Sequence, residues 1–449
     1  MSRQWLTYAK RILQEFLLAD SILIFADRDE ISYQTFVSAV TALKLYGCSR
    51  AEISSFRASY DTPAGFLHHE DYSANLDLVH EMILARNSRA RVGVKNPSLY
   101  QCSRMLMNRQ CSDERDKVYA ALGLAADNLA IRPDYTLSLA EVCLDLAKKS
   151  LLAGDFSILH YAETPTDDWN PSGRPSFIPQ LNRQTEANRP RSLGGRDTPI
   201  YTAGLARPPV VHMSSSSSID IQGVMVDEIL HLDTFADVLP DLTQGHGSPL
   251  KPQLLRAYER VKQHYHLLPG SSSSRTATLK LSFWRTINLG FLPQQKDTPY
   301  YDRGVDFRFL DLRYRTNIAH CFHKRIFFMT RKGYFGLGPK WTKQHDKVVI
   351  FDGAETPFLL RNTAVGEDSA GWNLVGDCYL DGWMDGDYHD YEILSETRQG
   401  STGGPFWARH DGWKREDRRR PTIRSHRPHL HQDDPVERKV LVTKRFVIH

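Results

Sequence analysis

The chain has 449 residues, a net charge of +4, 41% hydrophobic residues and 24% charged residues, which is ordinary for a globular protein. This length predicts two or three domains, each able to bury its own core. The composition excludes a mainly disordered chain, a collagen and a coiled coil. No apolar run approaches the roughly 20 residues that span a bilayer, so we expect a cytoplasmic protein that does not enter a membrane.

Residues 1–160 are patterned as helices. Apolar residues at three- and four-residue spacing predict an amphipathic helix over 5–19. The apolar run SILIFA at 21–26 predicts a strand, and a further helix is expected to begin at Ser32. Ser138 and Glu141 stand three residues apart at the start of another apolar-periodic run, which predicts a helix with a capping box.

Residues 161–300 are expected to form an irregular linker region. Pro, Gly, Ser, Asn and Arg dominate its first part, and serine runs occupy 214–218 and 271–274. Within this region only the run IDIQGVMVDEI, which begins at Ile219, is predicted to be a strand, and LSFWRTI is predicted to start a helix.

Residues 301–395 carry β-branched and aromatic runs separated by Gly, Pro and Asp, as in short strands joined by tight turns. They predict a small antiparallel sheet or barrel-like unit with one wetter face. Its core is expected to come from alternate residues: Ile326, Phe328, Val348, Ile350, Phe358, Leu360, Leu374 and Cys378. The fold class is therefore α+β, with a helical N-terminal half and this C-terminal β unit.

Residues 396–449 are expected to be a disordered basic tail. From residue 411 onward there are eleven Lys or Arg against six Asp or Glu, and apolar residues are scarce up to residue 434. A solvated tail is favoured over an arm that binds nucleic acid.

Patterns that would mark a metal or catalytic site are weak. His68, His69, Glu70 and Asp71 are consecutive, whereas metal ligands are usually spaced, and the pair His264 and His266 lies in a helical pattern that separates them. The six cysteines are far apart and are interpreted as free thiols. We expect no metal and no cofactor.

The segment CSDERDKVYAALGLA, residues 111–125, is the most distinctive part of the first half. Acidic residues at a helix start suit the positive end of the helix dipole. A bidentate pair between Arg115 and Asp116 is expected to fix the turn, which makes the segment an ion-paired helix entrance.

This segment resembles the DPRDKVYALLGL motif of fungal heterokaryon-incompatibility (HET) domain proteins through Arg115, Asp116, Lys117 and Tyr119. Asp134 and Tyr135 resemble that family's PDY motif, which a capped helix follows. Further pieces in the same order are similar to family motifs: ILQEFLLADSILIFADRDEISYQTF, GRPSFIPQ, IDIQGVMVDEI and FWRTI.

The C-terminal part resembles the family pattern R-x-F-F-x-T…GLGP…GD-x-V…PF-x-LR…LVG-x-Y. The matching residues are Gly336, Gly338, Pro339, Asp346, Pro357, Arg361 and Gly376. The resemblance implies a structural role for them. Gly333, Gly336, Gly338 and Pro339 are expected in the turn of a hairpin.

The chain departs from the family at several positions. It lacks the family's opening α/β half, so it is interpreted as N-terminally truncated or diverged. Glu114 replaces the motif proline, Phe177 and Gln180 replace Trp and Asp, and His345 replaces the glycine before Asp346.

The resemblance implies a role in fungal non-self recognition and programmed cell death, more as an interaction or signalling module than as an enzyme. Its partners would be other incompatibility or signalling proteins, or a second copy of the chain. The alternative is a death effector that cleaves NAD in the manner of TIR domains, whose catalytic half would be the absent one. In that case Glu15 is the candidate catalytic remnant, although a solvent-facing glutamate paired with Arg11 is the simpler reading.

Overall fold

The computed structural model describes residues 15–26, 29–46, 79–80, 82–83, 85–87, 97–107, 111–127, 129–162, 174–179, 181, 201–215, 217–235, 250–268, 276–290, 318, 321–322, 324–362, 371–386, 392–395 and 440–449. The chain divides into two compact units. Unit 1 comprises Met1–Glu163, Phe177–Arg189 and Gly195–Pro199, and unit 2 comprises Thr164–Ser176, Pro190–Gly194 and Ile200–His449.

Unit 1 is mainly helical. Its elements are the hairpin strands β1 (Leu23–Ala26) and β2 (Asp29–Ser32), the helices α1 (Tyr33–Tyr46), α2 (Leu99–Met107), α3 (Asp116–Tyr119) and α4 (Leu139–Leu152), and a 3₁₀ helix (Phe156–Tyr161). The predicted strand at 21–26 is confirmed as β1. Its partner β2 was not predicted, because DEIS is too polar to read as a strand. Of the predicted helix over 5–19, residues 15–18 are helical, and 1–14 lie outside the described residues.

The capping box of α4 is confirmed. The Ser138 hydroxyl accepts a hydrogen bond from the backbone N–H of Glu141 at 3.3 Å, and the Ser138 N–H donates to the Glu141 carboxylate at 2.7 Å. These bonds satisfy amides that the first helical turn leaves without partners. They also lower the pKa of Glu141. Gly154, at φ +79°, follows the last turn in a conformation that an L residue rarely adopts.

Unit 2 is built on a ten-stranded sheet. Its strands are β3 (Val211–Met213), β4 (Ile219–Asp233), β5 (Arg325–Thr330), β6 (Phe335–Pro339), β7 (Lys347–Phe351), β8 (Phe358–Asn362), β9 (Gly371–Asp377), β10 (Tyr379–Leu380), β11 (Glu392–Ser395) and β12 (Val440–Ile448). The order is β10-β6-β5-β4-β7-β8-β9-β12-β11, and β3 pairs with β4. Most neighbours are antiparallel, but β12 is parallel to both β9 and β11.

The fifteen-residue strand β4 joins the two parts of this sheet. Its first half pairs with β3 and β7 on one edge and with β12 on the other, and its last residues pair with β5. Because β12 also pairs with β9, the pairings β4–β7–β8–β9–β12 return to β4. The sheet as a whole is nevertheless open, since it ends at β10 and β11.

Both faces of the central strands are buried. Helices α5 (Leu250–His266) and α6 (Thr276–Ile287) supply apolar side chains to one core, where Phe283 lies with Phe327 and Phe335 of β5 and β6. Phe328, one residue along, belongs to the second core with Val348 and Leu359. Successive residues of a strand point to opposite faces, so β5 contributes to both cores.

The expected β unit is therefore larger than the sequence indicated, and the expectation of one wetter face is wrong for β5 and β6, where every residue is buried. All eight predicted core residues are buried, which confirms that list. Residues 161–300 are not simply a linker, because they supply β3, β4, α5 and α6. The strand from Ile219 is confirmed as β4, and a helix containing LSFWRTI is confirmed as α6, although this run ends that helix instead of starting it. Strand β3 was not predicted.

The expectation of a disordered tail is wrong for residues 440–449. Residues 440–448 form β12. Their apolar pattern was overlooked because the segment before them is strongly basic. Residues 396–439 lie outside the described residues.

Glu228 of β4 holds the ends of β5 and β7 together. Its carboxylate forms ion pairs with Arg331 at 3.0 Å and with Lys347, and it is hydrogen-bonded to the His345 ring at 2.6 Å. The hydrogen bonds from Lys347 and His345 lower the pKa of Glu228 to about 2. His345 has φ +72°, in the left-handed region that glycine adopts without steric cost.

Replacing Phe358 with alanine should lower the free energy of unfolding by about 3–5 kcal/mol, because a fully buried ring would leave a cavity between packed strands. Urea unfolding followed by intrinsic fluorescence measures this. Arg445→Ala, at an exposed position of β12, is the control and should change the free energy by no more than about 0.5 kcal/mol.

At position 345, glycine should be more stable than alanine by about 1 kcal/mol. Both His345→Gly and His345→Ala lose the hydrogen bond with Glu228, but only glycine adopts φ +72° without steric cost. Urea unfolding of the two variants makes the comparison. A more stable alanine variant would contradict the backbone conformation described for this turn.

The depressed pKa of Glu228 predicts a stability contribution that is fully present above pH ~4.5 and is lost as the pH falls through about 2. Glu228→Gln should therefore flatten the pH dependence of unfolding between these limits. After allowance for solvent screening the effect is on the order of 1 kcal/mol. Thermal melting at a series of pH values measures it, and parallel curves for both proteins would refute the assignment.

Candidate functional site

Arg115, at the start of α3, ties two motif segments of unit 1 together. Its guanidinium donates to the Asp113 carboxylate at 2.7 and 3.0 Å. Its other nitrogen donates to the backbone carbonyls of Tyr135 at 2.6 Å and Leu137 at 2.7 Å. Arginine presents several donors in a fixed plane, so one side chain binds the Asp113 carboxylate and the two backbone carbonyls at the same time.

Tyr135 completes this arrangement from the opposite segment. Its hydroxyl donates to the Asp116 carboxylate at 2.6 Å, and its ring lies 5.3 Å beneath the Arg115 guanidinium carbon. The Tyr119 ring meets it edge to face at 5.2 Å, and the Tyr119 hydroxyl donates to the Asp134 carbonyl at 2.8 Å. We call Asp113, Arg115, Asp116, Tyr119 and Tyr135 the motif cluster.

The expected bidentate pair between Arg115 and Asp116 is wrong. Arg115 pairs with Asp113, whereas Asp116 accepts the Tyr135 hydroxyl. The reason is local geometry: Asp113 lies in the turn before α3, where its carboxylate also accepts the Arg115 backbone N–H at 3.0 Å. Asp113 was therefore missed as Arg115's partner, although its place two residues before the arginine fits a turn that an aspartate closes.

Lys117 is buried, although it lies in a charged segment. Its side chain is 4% exposed, and its ammonium donates to the Leu181 carbonyl at 2.9 Å and pairs with Glu114 at 2.5 Å. Glu114 stands where the family motif has proline, so this departure supplies the counter-ion of a buried lysine.

Hydrogen bonds in and beside the motif cluster move the pKa values of Tyr135, Asp134 and Arg115 away from neutral pH. The hydrogen bond to Asp116 raises the pKa of Tyr135 to about 12. Hydrogen bonds from Thr136 lower the pKa of Asp134, and the Asp113 carboxylate raises the pKa of Arg115. A general acid or base works best with a pKa near the operating pH, so these groups suit binding and positioning rather than proton transfer.

The C-terminal motif residues Asp346 and Arg361 are brought together in unit 2. Arg361 donates to both oxygens of Asp346, at 2.8 and 2.9 Å, and to the Trp341 carbonyl at 2.9 Å. Asp346 is 1% exposed and also accepts the Lys343 backbone N–H at 2.8 Å. The Trp341 indole in turn donates to the carbonyl of Val375, at the bulge of β9. The pair thus closes the loop between β6 and β7.

The motif glycines allow close approach within the sheet. Gly336 and Gly338, with Pro339, lie in β6 and not in the hairpin turn, so that expectation is wrong. A Cβ at Gly336 would stand 2.2 Å from the Phe328 ring. Gly376 has φ +141°, and a Cβ there would stand 2.8 Å from Pro339. The turn itself uses Gly333, at φ +85°.

Pro357 lies just before β8, and its carbonyl accepts the Cys378 backbone N–H at 3.0 Å. An ion pair with both side chains buried was missed: Arg325 of β5 donates to Asp377 of β9 at 2.6 Å, with side chains 1% and 3% exposed. No local sequence pattern indicates this pair, because its two residues are 52 positions apart.

The remaining candidates do not assemble into a site. Glu15 is exposed on the helical turn at 15–18. The residues 68–71 lie outside the described part of the chain, and so does Cys48. The ring of His264 stacks on His231 at 3.6 Å. Within the described residues, no three His, Cys, Asp or Glu side chains gather where they could hold a metal ion.

Two further predictions concern the same described residues. None of the cysteines there is in a disulfide, in line with the interpretation from the sequence: Cys102, Cys111, Cys143, Cys321 and Cys378. No helix among these residues has the length and apolar character required to cross a membrane.

Comparison with known proteins gives two findings. Residues 305–396 match the family model of the Het-6 beta-barrel domain. This segment contains β5 to β11, whereas β4 and β12 lie outside it. No solved structure matches the chain.

The second finding is a relative from Neurospora crassa, heterokaryon incompatibility protein 6, OR allele. It is 25% identical over 344 residues, which cover 62% of this chain and 49% of the relative. The chain therefore spans about half the length of the curated relative that it matches. Together the two matches confirm the resemblance drawn from the motifs: the chain is similar to a fungal heterokaryon-incompatibility protein, and its residues 305–396 match the Het-6 beta-barrel domain.

Proposed function

We propose that the chain acts in fungal non-self recognition as a cytoplasmic, non-enzymatic interaction module whose engagement leads to programmed cell death. Its partners would be other incompatibility or signalling proteins, and the motif cluster of unit 1 would be the surface that contacts them. The relative's name supports the incompatibility role.

One observation carries this proposal: Tyr135 presents a large ring to solvent in a fixed orientation. The residue is 54% exposed, yet its hydroxyl is bound to Asp116 and its backbone carbonyl to Arg115. A tyrosine loses little conformational entropy on binding when it is already held, and tyrosine and arginine are enriched among the residues that dominate protein interfaces.

The charges of the cluster favour a binding role over a catalytic one. The Arg115 and Asp113 side chains are 24% and 31% exposed, so they lie at the rim of the Tyr135 ring where a partner can reach them. Charges at a rim steer encounter and orientation. A partner that offers an apolar pocket flanked by polar groups fits such a surface.

The test is a cell-death assay in fungal fusion cells that express the full chain. Tyr135→Ala should abolish death upon fusion with an incompatible strain. Tyr135→Phe keeps the ring and should retain most of the activity. Leu152→Ala is a matched control, because it removes another half-exposed apolar side chain from unit 1.

Thermal melting of the same variants separates contact from folding. Loss of cell death in Tyr135→Ala, with melting within a few degrees of the unaltered chain, supports the proposal. Full cell-death activity in Tyr135→Ala would refute the motif cluster as the contact surface.

A further inference from the structure

The strand β12 occupies a slot inside the sheet of unit 2. Residues Thr443 to Ile448 pair antiparallel with β4, and Val447 and Ile448 pair parallel with β9. Residues 440–443 pair with β11. Without β12, β4 and β9 would present unpaired backbone groups, which are a template for another strand.

Two side chains of β12 anchor it in this slot. Phe446 is 1% exposed and Ile448 is completely buried, whereas Arg445 is exposed. The Phe446 ring lies 6.0 Å from the rings of Phe351 and Trp372. The slot therefore buries alternate side chains of an extended segment. Sites that bind a peptide as an added strand of a sheet recognise it in the same way.

The residue after β12 is held as well. Ser176 donates its backbone N–H to the His449 carbonyl at 2.7 Å, and its hydroxyl donates to the same oxygen. The Ser176 hydroxyl oxygen accepts a hydrogen bond from the Leu374 N–H at 2.8 Å, and the His449 N–H donates to the Trp372 carbonyl at 3.0 Å. These bonds fix the register of the segment at its end.

The segment between β11 and β12 is long enough for β12 to come from the same chain or from a second copy. About 44 residues, 396–439, lie between β11 and β12, whereas roughly a dozen suffice to join two parallel strands. A segment of that length could reach at most about 150 Å. A second copy carries the identical strand, so the slot would make the same contacts with it.

We propose that two copies of this chain associate by reciprocal exchange of β12, each placing residues 440–449 between β4 and β9 of the other. The contacts are the same in one copy and in the pair, so concentration decides between the two forms. This association does not involve Tyr135, and it goes beyond the function proposed above.

Disulfide trapping between two full-length chains tests the exchange. Gln222 and Arg445 are register partners in the β4–β12 ladder, and opposite residues of antiparallel strands lie at distances that a disulfide can bridge. One chain carries Gln222→Cys only and the other carries Arg445→Cys only. After mixing and mild oxidation, a covalent dimer of the two should form, with a yield that rises roughly in proportion to concentration while dimers are rare.

Three controls make the result decisive. A single chain with both substitutions should form the bond within itself. Each single variant mixed with the unaltered chain should give only background through the native thiols. Thr443→Cys, whose register partner is Val224, should give several-fold less dimer with Gln222→Cys than Arg445→Cys does.

The outcomes separate cleanly. A bond within the doubly substituted chain, without a dimer from the mixed single variants at any concentration, overturns the exchange. Absence of the bond even within the doubly substituted chain overturns the register on which the slot depends. Neither result tests the role proposed for Tyr135, so the failure of the exchange would leave the proposed interaction surface unaffected.

Discussion

Strand β4 is the constraint on which unit 2 depends. A buried strand must pair its backbone groups on both edges, and the fifteen residues of β4 find partners in β3, β5, β7 and β12. These partners come from three separated parts of the chain. At Gly223 an added Cβ would stand 2.5 Å from the Ile350 carbonyl, so glycine permits the approach of β7. Register shifts near Asp227 and Leu230 lie where β4 passes from β7 to β5.

Ion pairs of buried carboxylates fix the loops around this sheet. Asp346 is held by Arg361, Asp377 by Arg325, and Asp381 by Arg285 at 3.0 Å. Burial raises the pKa of Asp381 even so, which reflects what desolvation costs a carboxylate. Such pairs often add little net stability relative to apolar replacements. What they do here is connect positions that lie far apart in sequence, such as the ends of β5 and β9.

The sequence predicted those elements whose signals are local. The capping box at Ser138, the strand at 219 and the alternate core residues of the C-terminal unit depend on spacing within a few residues, and they are found. Asp113 was missed as the partner of Arg115 although it lies only two residues before it. The pair of Arg325 with Asp377 joins residues 52 apart, which a pattern of neighbouring residues cannot indicate. Strand β12 was missed because the basic composition of the residues before it led to the prediction of a disordered tail.

The motifs themselves mark backbone geometry more than chemistry. Gly336 and Gly376 stand where a side chain would collide, and Asp346 with Arg361 closes a loop. His345 is the informative departure, because it keeps the positive φ that suits glycine and places its ring against Glu228. Because these motif residues shape the chain, we propose that recognition uses side chains that this shape holds in place and leaves exposed. The Tyr135 ring in unit 1 is such a side chain, and the exchange proposed for β12 in unit 2 likewise depends on the backbone geometry of the sheet.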